Sequence, residues 1–99
     1  MRALVLAAAL FAAAPALAQS APAPTRLTLA SGVTAPTAGV IVDGAMWRCD
    51  TAGACTASGG TAQPATRACR RVVARLGAVS EFAYKGTALT AEQIAACNA

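Results

Sequence analysis

A small α+β domain, an antiparallel β ribbon with two helices packed on it and two disulfides, is predicted by three observations. Short runs such as Arg26–Ala30 and Val40–Val42 alternate in polarity or are β-branched, as half-buried strands are. Two stretches, Pro64–Leu76 and the segment starting at Leu89, carry helix boundary signals and apolar residues at helical spacing. Four cysteines punctuate a chain whose large apolar side chains are few, so the core needs covalent support.

The prediction centres on Met46–Cys55. It holds the single tryptophan, two of the four cysteines and the turn residues Asp50 and Gly53 between them. A hairpin there sets Cys49 opposite Cys55.

In chain order, Arg2 is followed by the apolar run Ala3–Ala14 and then Ala16-Leu17-Ala18. A basic start, a short apolar stretch and small residues at alternate positions are the anatomy of a secretory signal peptide at 1–18, cut before Gln19. The run is too short for a comfortable membrane span. After cleavage no span is expected, and the protein is expected in the periplasm or secreted. Residues 19–24, with Pro22 and Pro24, read as a flexible Ala/Pro lead, and 25–99 as one disulfide-stapled domain.

Arg26–Ala30 is the first expected strand, and Ser31–Gly39 a loop rich in Gly, Thr and Pro. Val40–Val42 is a second strand. Asp43-Gly44 then either reverses the chain or marks a bulge, and reversal is preferred. In the strand that follows, period two sends Ala45, Trp47 and Cys49 inward and Met46 and Arg48 outward. Ala54–Ala57 returns, ending at Ser58–Thr61.

Pro64 suits the first helical turn and Gly77 the stop. Cys69, Val72, Val73 and Leu76 share one helical face, while Arg67, Arg71 and Arg75 line the other with Arg70 beside them. Ala78–Tyr84 is expected as a strand using Val79 with Phe82 or Tyr84, and Lys85-Gly86 as a turn. Thr90 and Gln93 form a capping box, with Leu89 stapled to Ile94, opening a helix that faces Cys97 inward.

Of the three possible cysteine pairings, Cys49–Cys55 and Cys69–Cys97 is expected. The first joins hairpin neighbours, and the second joins two helix faces packed on one sheet. A zinc site is the rival, but structural zinc favours pairs two to four residues apart, which neither pair here offers. No metal or cofactor is expected.

The spread Trp47-x-Cys49, Cys55, Pro64, Cys69, Leu76-Gly77, Phe82, Gly86, Leu89 and Cys97-Asn98 resembles a group of small exported alphaproteobacterial proteins with the pattern W-x-C…C…C…C-N. The resemblance implies export and family membership, and transfers no substrate or active site.

For function, composition removes more than it supplies. The chain has no histidine, so imidazole bases, triads and imidazole metal ligands are excluded. Asp43 and Asp50 sit in expected turns, where carboxylates are usually solvated or bonded to their own backbone, and Glu92 in a first helical turn, where its charge suits the positive end of the dipole. The formal charge is +4, and +3 once Arg2 leaves with the leader. Export and the lack of interleaved aromatics argue against a nucleic-acid partner. A non-enzymatic structural or binding role is expected. The alternative is an interaction module or inhibitor, docking an anionic partner (a lipid head group, a cell-wall polymer or an acidic protein) through Arg67, Arg70, Arg71 and Arg75. The plain competing explanation of that stripe is a solvated helix face.

Overall fold

A computed structural model describes residues 23–99, from Ala23 onward. The expected signal peptide and most of the Ala/Pro lead lie outside the described residues.

Among the described residues, six strands and two helices follow one another as β1 (Arg26–Leu29), β2 (Val40–Val42), β3 (Ala45–Cys49), β4 (Ala54–Gly59), α1 (Ala65–Leu76), β5 (Val79–Tyr84), β6 (Thr87–Ala88) and α2 (Ala91–Asn98). All strands join one sheet in the order β2-β3-β4-β1-β5-β6, with every neighbouring pair antiparallel. The expected ribbon is thus β2-β3-β4. The first strand of the described chain inserts beside it and becomes a central strand. Because β4 and β5 are both antiparallel to β1, they run parallel to each other, and α1 is the crossover such a pair requires.

Turn chemistry explains the hairpins. Asp43 (φ 49°) and Gly44 (φ 82°) both take left-handed backbone, as do Lys85 (φ 49°) and Gly86 (φ 92°). Two successive positive φ values make the tight turn whose twist matches a hairpin, so the chain reverses at Asp43-Gly44. In the β3–β4 loop, Asp50 Oδ1 accepts from Ala52 N–H (2.9 Å) and Ala54 N–H (3.0 Å). That side chain stands in for a backbone turn.

One face of the sheet is buried under the helices. Leu27 and Leu29 of β1, Val42 of β2, Ala45 and Trp47 of β3 and Cys55 of β4 meet Ala68, Cys69, Val72 and Leu76 of α1. Trp47 is wholly buried and tilted against Phe82, their centroids 5.9 Å apart, which makes it a core residue rather than a ligand platform. β5 supplies Val79, Phe82 and Tyr84 to the same core although their numbers differ in parity. The register explains this: Leu29 pairs with Val79 but Thr28 with Glu81, so Ser80 is an extra residue. That bulge flips Val79 onto the helix side.

Both disulfides form as expected. Cys49–Cys55 joins directly paired residues of β3 and β4, and Cys69–Cys97 joins α1 to α2. On a chain-entropy estimate, closing the separation of 28 is worth roughly 3.6 kcal/mol and that of 6 roughly 2.4. Two such bridges fit an oxidising environment. The capping box at Thr90 is present, Thr90 Oγ1 accepting from Gln93 N–H (3.2 Å) while Gln93 Oε1 accepts from Thr90 N–H (2.9 Å). Pro64 is the N-cap of α1, one position before its first turn, with no side-chain cap of its own. Among the described residues no helix is long and apolar enough to cross a membrane.

Candidate functional site: the arginine face of α1

Helix α1 reads ATRACRRVVARL and contains no acidic residue. Its apolar side is committed to the core, which leaves Arg67, Arg70, Arg71 and Arg75 exposed on the rest. A solvated helix face usually mixes signs, because opposite charges three or four residues apart stabilise it. Here the face carries one sign only. Arg67 even stands in the first turn, where the helix dipole disfavours a cation.

The four guanidiniums are not equivalent. Arg71 is held: its Nε donates to Asp43 Oδ2 and its Nη2 to Asp43 Oδ1, each at 3.0 Å. Gln63 Nε2 adds a bond to Asp43 Oδ2 at 3.3 Å. These bonds, the one from Arg71 foremost, hold the Asp43 carboxyl below its ordinary range, and Arg71 is raised in turn. The expectation that the Asp43 carboxylate is solvated or bonded to its own backbone is therefore corrected, since Arg71 and Gln63 hold it. The turn aims its side chain back at α1, a contact between residues too far apart in sequence to be read locally.

Arg71–Asp43 is the one salt bridge among the described residues. Arg67, Arg70 and Arg75 have no carboxylate partner there. Arg75 Nη1 lies 3.5 Å from the Ile41 carbonyl, at the limit of a hydrogen bond. Val42, Asp43, Arg70, Arg71, Ala74 and Arg75 line a hollow of about 280 Å³ between β2 and α1. Arg67 borders a neighbouring hollow of about 230 Å³ with Thr61 and Gln63. Such an arrangement can hold a carboxylate or phosphate group by forked hydrogen bonds.

The other carboxylates are occupied elsewhere. Asp50 builds its loop, Glu81 Oε1 accepts from Thr28 Oγ1 at 3.1 Å, and Glu92 lies in the first turn of α2. Among the described residues no three His, Cys, Asp or Glu gather as a metal site. Trp47 Nε1 is buried without a hydrogen-bond partner, and it lines none of the hollows described. Sequence reasoning missed Gln63 and Asn98 as structural residues; for Asn98 the signal was its place directly after Cys97.

The model of a family of unknown function, DUF8200, matches residues 5–99. No curated protein and no solved structure gives a match.

Proposed function

We propose that this chain, which belongs to the DUF8200 family of unknown function, is an exported, non-enzymatic binding protein that holds an anionic partner on the arginine face of α1. The observation that carries the reading is the single-sign face: Arg67, Arg70 and Arg75 have no carboxylate partner among the described residues, while Arg71 is anchored by Asp43. Export is supported by the leader-like residues 1–18, by the resemblance to small exported proteins of alphaproteobacteria, and by cysteines that are all paired. A non-catalytic role is supported by the structural employment of Asp43, Asp50 and Glu81, in a chain without histidine.

Retention of the oxidised protein on phosphatidylglycerol vesicles and on immobilised polyglutamate tests this. Retention should fall with salt, because exposed ionic contacts are screened. Changing Arg67, Arg70 and Arg75 together to Gln should abolish it and shift stability by no more than about 0.5 kcal/mol. Undiminished retention of that variant would reduce the stripe to a solvated surface. Arg71 stays out of the set because replacing it breaks the Asp43 pair as well.

A further inference from the structure

We propose that the open edge of β2, flanked by Arg70 and Arg75, receives an extended acidic segment of a partner protein as an added strand. The proposal rests on the anion-binding reading above and assigns its partner class.

The two ends of the sheet are finished differently. At the β5–β6 end, Val79 is bonded through both main-chain groups to the Asn98 side chain, and Phe82 C=O accepts from Leu89 N–H at 2.9 Å. At the β2 end no strand follows among the described residues. Val42 and Ala45 flank the two-residue turn and pair with each other, as do Val40 and Trp47. In an antiparallel ladder hydrogen-bonded pairs alternate, so Ile41, between them, turns its N–H and C=O away from β3. Farther along, Asp43 C=O is closed off by Thr61 N–H (2.9 Å) and Thr61 Oγ1 (2.7 Å). Ile41 is thus the open position, its C=O met only by Arg75 Nη1 at 3.5 Å. It is also the one large hydrophobic residue strongly exposed among those described, at 57%.

Charge selects the occupant. An added strand would lay the residue opposite Ile41 on the open face, beside Ile41 and its cross-strand neighbour Met46. Its two flanking residues would point to the other face, towards the hollow bearing Arg70 and Arg75. Carboxylates there would meet cations that have none, and Arg75 already reaches the edge at Ile41. The favoured segment is acidic–apolar–acidic. A second copy of β2 would instead bring two Arg75 side chains together, which opposes self-pairing. Main-chain bonds give affinity in such strand addition, and alternate side chains give the selectivity.

The probe is a blocked seven-residue peptide with glutamate on each side of a central valine, titrated into the oxidised ¹⁵N-labelled chain. Binding should slow exchange of the Ile41 amide, and Arg70→Gln with Arg75→Gln should weaken it roughly tenfold or more. Ile41→Pro removes the edge donor without touching the β3 ladder, a substitution edge strands tolerate. It should abolish peptide binding and leave retention on phosphatidylglycerol vesicles unchanged. N-methylation of the peptide's central valine should do the same in the unmodified chain, so the test survives a misfolded variant. Peptide bound equally well with either block, or without slower Ile41 exchange, overturns the strand while leaving the anion reading in place. A dimer dissolved by Ile41→Pro, with no peptide binding, assigns the edge to a second copy and also overturns it. Loss of peptide and vesicle binding together in the double Gln variant, with both blocks effective on the peptide alone, upholds both readings.

Discussion

The side-chain amide of Asn98 exchanges two hydrogen bonds with the main chain of Val79. Val79 N–H donates to Asn98 Oδ1 at 3.0 Å, and Asn98 Nδ2 donates to Val79 C=O at 2.7 Å. A primary amide presents a donor and an acceptor side by side, as a neighbouring strand would. Because β6 is only Thr87–Ala88, the start of β5 has no strand partner on that side, and Asn98 takes its place. The Cys69–Cys97 bridge fixes the adjacent residue, so the amide is delivered at little entropic cost.

Asn98→Ala should therefore destabilise the domain by about 1–3 kcal/mol, since it strands a donor and an acceptor of a partly buried backbone. Faster exchange of the Val79 amide should accompany the loss. Urea unfolding unchanged by the substitution would show the pairing to be idle.

The bridges should rank unequally. Removing Cys69–Cys97 as a double Ser variant should cost more than removing Cys49–Cys55, by about 1 kcal/mol on loop length alone. Loss of the helix–helix tie also frees the anchor of Asn98, which widens the gap. Equal denaturation midpoints for the two variants would contradict this order.

The Asp43–Arg71 pair predicts an acid limb. Its hydrogen bonds lower the Asp43 carboxyl from 3.8 in the folded state. A depressed folded value gives stability that is present above the unfolded value and lost as pH falls through the folded one. Asp43→Asn keeps a residue tolerant of the left-handed turn and removes the charge. The midpoint difference between parent and variant should be constant near neutrality and shrink below about pH 4, towards the lowered value. A difference independent of pH would mean the carboxylate is not felt.

Tyr84 and Gly60 form a close pair. Tyr84 Oη donates to Thr61 C=O at 2.6 Å, and a Cβ on Gly60 would lie 2.5 Å from the Tyr84 hydroxyl oxygen. Gly60 also has φ 105°, a conformation side chains resist. Tyr84→Phe should cost about 1 kcal/mol, and Gly60→Ala should cost more. Gly60→Ala should be milder in the Tyr84→Phe background, because the obstructing atom is gone. Additive losses in a double-mutant cycle would refute the coupling.

What the sequence determined by itself is local. Turn chemistry at Asp43-Gly44 and Lys85-Gly86 requires only the backbone freedom of neighbouring residues, and the Thr90–Gln93 box lies within one helical turn. Period two places Trp47 inward, and period 3.6 turns Cys69 away from the arginines. The disulfide pairing followed because each bridge joins residues whose elements already face each other. Tertiary structure decided the rest. The central position of β1 depends on which strands can offer edges to Leu27 and Leu29, and alternation within four residues carries no such information. The Ser80 bulge, the Asn98 clasp and the capture of Arg71 by Asp43 likewise join residues far apart in sequence. Exposed arginines look alike in a helical pattern. Only the folded chain, by bringing one turn carboxylate beside α1, separates the arginine that is held from those left open to a partner.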